Sequence, residues 1–186
     1  VPIPETHPLN PIGSYGIVKT AIEGFLAREA RSGLAPVVLR ASNAYGPRQG
    51  RGDFLGFIGT TLLNLAEGKP VEIFGDGAVI RDFVHVRDLA ALTLRAVSAT
   101  APVTVNAGSG RGHSLNAVLT LIEEVTGRKV PVIRRPGRAI DVPVSVLDIR
   151  RAQEVFGWSP AVGLREGLAE TWDWAQRAAL SPERRS

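Results

Sequence analysis

The sequence predicts an α/β fold with a parallel sheet, and three stretches carry that expectation. A helical repeat from about Ile12 to Arg31 stops at Ser32-Gly33. It is followed at once by Pro36-Val37-Val38-Leu39-Arg40-Ala41, a short apolar run of the kind found in strands covered on both faces. Helix then buried strand is half of a βαβ unit. Directly beyond lies Ser42-Asn43-Ala44-Tyr45-Gly46-Pro47-Arg48, read as a polar loop at the strand's carboxyl end, where ligands sit in open α/β sheets.

Taken in order, Pro2, Pro4, Pro8 and Pro11 make the opening irregular. The first helix places Tyr15, Val18, Lys19, Ile22, Phe25 and Leu26 on one face, and Gly33 suits its C-terminal cap. Phe54 to Glu67 reads as a second helix closed by Gly68 and Pro70. Val71-Glu72-Ile73-Phe74 reads as a strand ending in the turn Gly75-Asp76-Gly77. Arg81-Asp82-Phe83-Val84-His85-Val86 alternates as a strand does. Leu89, Leu92, Thr93, Ala96 and Val97 mark a third helix, and Val103 to Asn106 a strand running into Gly108-Ser109-Gly110. Ser114 suits the N-cap of a fourth helix carrying Leu115, Val118, Leu119, Ile122 and Val125 and ended by Gly127. Asp148 caps a short helix ending at Gly157. Leu164, Leu168, Trp172 and Ala175 share a face of the last helix, beyond which the tail after Leu180 is expected to fray.

With 186 residues, 44% of them hydrophobic, the chain suffices for one domain or a little more with a core of its own. It has no cysteine, which excludes disulfides, thiolate nucleophiles and sulfur-ligated metals. His7, His85 and His113 lack metal-ligand spacing, so no metal site is expected. The uncharged runs, Phe54 to Ala66 among them, are too short to cross a bilayer, and no signal peptide opens the chain, so a cytoplasmic location is expected. The net charge of +4 comes from 19 arginines and three lysines against 18 acids. Arg128, Lys129, Arg134, Arg135 and Arg138 cluster as a nucleic-acid binder's residues do. The other arginines are dispersed among acids with no stacking aromatics, so nucleic acid is not the expected partner. The chain starts at Val1 and has no methionine, from which a missing N-terminal part is expected.

Tyr15 and Lys19 stand one helical turn apart. An ammonium about 6 Å from a phenol, at an effective dielectric near 20, is worth roughly 2–3 kcal/mol. Such a field brings a tyrosine towards neutral pH, where it can take a proton from a sugar hydroxyl. The same spacing also describes a core-edge aromatic beside a solvated lysine. His85 and Asp88 suggest a triad with some serine, but His85 lies mid-strand without a nucleophile elbow.

Four motifs in order resolve the first of these. Tyr15-x-x-x-Lys19, Leu39 to Arg48, Ile73-Phe74-Gly75-Asp76-Gly77 and Arg81-Asp82-Phe83-Val84-His85-Val86-Arg87-Asp88-Leu89-Ala90 together resemble the extended short-chain dehydrogenase/reductases. Most narrowly they are similar to the NAD-dependent epimerase/dehydratase family, in its UDP-glucose 4-epimerase branch. The likeness continues through Asn106-Ala107-Gly108-Ser109-Gly110 and Asp148 to Phe156-Gly157-Trp158. The family opens with a Gly-rich strand–turn–helix that holds the NAD pyrophosphate and a catalytic Ser/Thr ahead of its tyrosine; neither has a counterpart here.

The resemblance therefore implies the C-terminal part of a Rossmann-like parallel-sheet domain plus a smaller mixed α/β substrate-binding domain. Residues 1–50 would be the last helix and strand of an incomplete NAD-binding domain. Residues 51–180 would form the sugar-nucleotide domain, with some segments returning to the first, and 181–186 a disordered tail. In the complete protein the implied activity is C4 epimerisation of a nucleotide-diphosphate hexose through a 4-keto sugar, with NAD as cofactor and a homodimer as the assembly. Tyr15 would be the base. Lys19 would hold the nicotinamide ribose and keep Tyr15 acidic, and Ser42 would lie near the carboxamide. Asn43, Phe74, Phe83 and the diphosphate-binding Arg81 and Arg138 would meet the substrate. A dehydratase or decarboxylase of the same scaffold, a non-catalytic sugar-nucleotide-binding fragment and a basic nucleic-acid binder are the rival readings.

Overall fold

A computed structural model describes residues 2–49, 56–138 and 142–180. Helix α1 spans Ser14–Ala30 and strand β1 Val37–Ala41. Then come β2 (Asn43–Tyr45), α2 (Phe57–Ala66), β3 (Val71–Phe74) and β4 (Ile80–His85). α3 (Val86–Ala96), β5 (Val103–Ala107), β6 (Gly112–Ser114) and α4 (Leu115–Thr126) follow. β7 (Val132–Arg135), β8 (Val144–Ser145), α5 (Arg150–Phe156) and α6 (Leu164–Leu180) complete the chain. The expected starts of the second helix at Phe54 and of the tail at 181 lie outside the described residues.

The caps form as their chemistry dictates. The Ser114 side chain accepts a hydrogen bond from the Ala117 amide at 3.1 Å, and Gly127 and Gly157 take the left-handed conformation that stops α4 and α5. Asp148 accepts from the Arg150 amide at 3.1 Å one residue ahead of the formal N-cap Ile149.

Three small sheets share the strands. β1 pairs with β5 in parallel, and β3 with β7 in parallel. The third sheet is centred on β4, whose first half lies between antiparallel β6 and parallel β8 and whose second half pairs in parallel with β2. The expected Ser42–Arg48 loop is thus corrected: Asn43–Tyr45 is a strand, in register with Phe83–His85. Three residues before a Gly-Pro are too few to show a strand period, and here the pairing comes from a distant segment. β6, β7 and β8 were likewise unforeseen. All four residues of β7 are exposed, so this edge strand has no buried face to leave a pattern in the sequence.

Two apolar cores result. One packs α2, α4 and α6 around Ile73, Phe83, Tyr45 and Trp172; the other packs α3 and α5 against the β1–β5 sheet through Leu92, Val105, Ala152 and Trp158. Asp88 joins them, because its carboxylate accepts from the amides of Ala161 and Val162, both at 3.0 Å, just before α6. His85 caps α3 rather than serving a triad, accepting from the Arg87 amide through Nδ1. α1 behaves differently. The expected apolar stripe is present but none of it is fully buried: Leu26 is half-buried, while Tyr15 is 74%, Val18 56% and Phe25 69% exposed. Among the described residues no helix is long and apolar enough to cross a membrane.

Candidate active site

Strand β1 loses its partner β5 at Ala41, and the next pair formed is Asn43 with Phe83 of β4. Ser42 is the residue where the chain changes sheets, and a crevice opens there, as it does wherever strand order switches in α/β proteins. Its cleft, about 430 Å3, is lined by Ser42, Asn43, Tyr15, His7, Arg40 and Asn106 among others. Tyr15 is held at the mouth of this cleft at the N-terminal end of α1, and the Lys19 ammonium lies 5.3 Å from its ring centroid. The first turn of a helix makes this pair local; the position of Tyr15 opposite Ser42 is tertiary. α1 is tied to β1 by Arg40, whose Nε and Nη2 donate to the Glu23 carboxylate at 2.9 and 2.6 Å.

A second cleft, about 290 Å3, begins on the other side of Asn43. It brings together Asn43, Phe74, Arg81, Phe83 and Arg138, with Thr60 beside them. Strand alternation explains part of this: Arg81 and Phe83, two apart on β4, both line the cleft while Asp82 points away into the protein. Arg81 Nη1 donates to the carbonyls of Ile80 at 2.9 Å and Val142 at 2.6 Å. The Arg138 guanidinium carbon sits 4.3 Å from the Phe74 ring centroid, an arrangement that presents a cation at the cleft wall. Phe83 is both cleft wall and core, at 5% exposure. Asn43 is shared by the two clefts and is fixed by donating from Nδ2 to the Asp82 carbonyl at 2.9 Å.

Seven of the eight residues picked from the sequence therefore line two adjoining clefts, and the eighth, Lys19, lies outside their lining beside the Tyr15 ring. Those missed are His7 and Asn106 at the first cleft and Asp82 beneath both. Asn106 holds the N-terminal segment in place, donating from Nδ2 to the carbonyls of Ile3 and Asp148 at 2.9 and 3.0 Å. An asparagine ending an apolar strand is the signal that could have flagged it. The basic cluster, by contrast, disperses. Lys129 pairs with Glu123, Arg135 with Glu72, and Arg128 lies over Trp172.

A sequence profile of the NAD dependent epimerase/dehydratase family matches residues 1–108. The chain belongs to that family. A putative UDP-glucose 4-epimerase of Methanocaldococcus jannaschii is 34% identical over 94% of this chain and 57% of its own length. The crystal structure of Thermotoga maritima UDP-glucose 4-epimerase with UDP-glucose superposes with a TM-score of 0.90 and 40% identity, covering 95% of this chain and 58% of that one. The Thermus thermophilus UDP-glucose 4-epimerase complex with NAD gives 0.87 and 33%, covering 94% and 57%. The chain thus spans less than two thirds of the length of these relatives.

The family is NAD-dependent, and the chain's own residues fit one end of that cofactor. Tyr15 and Ser42 face one cleft with the Lys19 ammonium alongside, a donor set suited to ribose hydroxyls and a carboxamide. The other end finds no cradle among the described residues. The glycine-rich turn after β5 runs into β6, not into a helix N-terminus, and its Ser109 and Gly110 amides already donate to the Asp82 carboxylate.

Proposed function

We propose that a protein carrying this chain interconverts nucleotide-diphosphate hexoses at C4, with a UDP-hexose as the substrate class. The observation that supports this best is the sharing of Asn43 by the two clefts, which sets the Tyr15 hydroxyl on one side and the Arg81–Arg138 pair on the other. A sugar joined to a diphosphate presents its own hydroxyls to a base at one end and its charge to guanidinium groups at the other.

Arg81 and Arg138 hold the diphosphate, Phe74 and Phe83 pack beside the nucleotide, and Asn43 orients the sugar between them. Tyr15 takes the proton of the sugar 4-hydroxyl onto its phenolate oxygen, with the Lys19 ammonium 5.3 Å from its ring centroid. NAD, when bound, supplies the hydride acceptor. Tyr15 returns the proton when the 4-keto sugar, turned over in the cleft, is reduced on its opposite face. Through this Tyr15 remains the one residue of the chain that carries the moving proton.

The test is Tyr15→Phe in the longer protein that carries the chain. Turnover of UDP-glucose to UDP-galactose is expected to fall at least about a thousandfold, at the upper part of the range for loss of a general base. UDP binding by calorimetry is expected to stay within about threefold, since Tyr15 holds no phosphate. Retention of more than a few per cent of wild-type turnover removes Tyr15 from the base role.

A further inference from the structure

We infer that Asp82 is a positioning residue for the proposed reaction, its buried carboxylate fixing the point at which the Tyr15 cleft and the arginine cleft meet. The inference rests on the proposed function for its catalytic consequence, but its geometry stands alone. Asp82 is fully buried, and among the described residues no cation pairs with it. Its two carboxyl oxygens are met by hydrogen-bond donors. Oδ1 accepts from the Ser109 amide and hydroxyl, both at 2.7 Å, and from the Ser42 hydroxyl at 3.3 Å. Oδ2 accepts from the amides of Gly110 at 3.1 Å and Leu147 at 3.2 Å. Its backbone carbonyl takes the Asn43 side chain. One residue therefore gathers the β1–β2 junction, the β5–β6 turn and the segment before α5, none of them its neighbour in sequence.

Both strands change partner at this point. β1 gives way to β2 across Ser42, and β4 passes from β6 and β8 to β2 across Asp82. Such a break leaves backbone groups without ladder partners, and a buried carboxylate with several acceptor sites supplies them. Gly108 has no room for a Cβ, because Asp82 Oδ2 occupies that space. Ser42 faces the first cleft and Asn43 both, so a shift at Asp82 moves the cofactor end against the sugar end. Misplacement of about 1 Å between reacting groups costs on the order of a hundredfold in rate.

Asp82→Asn keeps the volume and turns one acceptor oxygen into a donor that faces amide donors. In the longer protein, kcat is expected to fall about ten- to a hundredfold per folded molecule, while KM for the UDP-hexose and UDP affinity stay within about threefold. Ser42→Ala is expected to cost much less in the Asp82→Asn background than alone, because an amide that faces amide donors on either side shifts away from the position that held the Ser42 hydroxyl. Native-state hydrogen exchange is expected to accelerate at Ser42, Asn43, Ser109, Gly110 and Leu147, leaving β3 and α4 unaffected. Unchanged kcat per folded molecule, additive effects of the two substitutions, or exchange raised uniformly over the chain overturns the inference and leaves a purely structural carboxylate. Should the wild-type protein turn over no UDP-hexose, the proposed function fails by itself; localised or uniform exchange then decides for or against Asp82. Ser109→Ala, which withdraws one donor, carries the same comparison if Asp82→Asn does not fold.

Discussion

Arg81 and Arg138 reach one cleft by different physical means. Arg81 is anchored by two carbonyls, that of Ile80 in β4 and that of Val142 just before β8, so its guanidinium is held by backbone. Arg138 is exposed and is oriented by the Phe74 ring instead. Both arrangements place a planar fork where phosphate oxygens can be met in pairs, which a lysine's single ammonium does not reproduce. A charge-assisted contact is worth about 1.5–3 kcal/mol, so Arg81→Ala or Arg138→Ala should weaken UDP binding roughly ten- to a hundredfold, at about 1.4 kcal/mol per decade. The lysine variants should recover part of the loss. The measurement is calorimetric titration with UDP, and unchanged affinity in both alanine variants removes the nucleotide-diphosphate sugar as the ligand.

At the scale of elements, the contact of β4, α3 and α6 carries a pH dependence. His85, at 1% exposure, lies between these elements with Nε2 3.8 Å from the Glu170 carboxylate. Burial pushes its pKa below the ordinary value; Arg87 adds to this, while Glu170, Asp88 and Glu166 oppose it. The folded chain therefore binds fewer protons here than the unfolded chain, and this part of the stability is lost as pH falls through about 6.5 towards the lowered value. The expected slope is up to about 1.4 kcal/mol per pH unit over that window. His85→Gln should flatten it in urea unfolding series at pH 7.5 to 5.5, whatever it does to the absolute midpoint. Parallel curves for the two proteins would assign the slope to other groups.

The same elements show what the sequence made legible. α4 and α6 run long enough for a helical period, and Ser114, Gly127 and Gly157 mark ends by chemistry local to the chain. β2, β6 and β8 are two or three residues long and exist because β4 is there to pair with them. In the site, Tyr15 and Lys19 are a local pair and could be read from spacing. Strand alternation relates Arg81 to Phe83, but the gathering of these two with Asn43, Phe74 and Arg138 was reachable only through family resemblance, since spacing does not link Asn43 to residues 31 to 95 positions beyond it. Asp82 was silent, because its partners stand 27, 40 and 65 residues away and an aspartate in a strand announces none of them.

For the whole molecule, α1 is the part that the described residues leave uncovered. Its one side-chain ion pair to the strand beside it, among the described residues, is Glu23 with Arg40, and Leu26 is half-buried, while Ile17, Val18, Ile22 and Phe25 face outward at 45% to 69% exposure. β1, the strand beside it, pairs with β5 and has no partner on its other edge among the described residues. A contiguous apolar stripe and an open strand edge are the two surface features that most favour association. The 186-residue chain by itself is therefore expected to self-associate in a concentration-dependent manner, which light scattering during size-exclusion chromatography reads directly. Ile22→Glu with Phe25→Glu should shift the mass towards the monomer without altering the fold, since exposed substitutions of this kind usually change stability by no more than about 0.5 kcal/mol. Persistent association in that variant would place the contact at the β1 edge, where a charge introduced at Val37 or Leu39 should disrupt it. A wild-type chain that stays monomeric at high micromolar concentration shows that neither surface drives association.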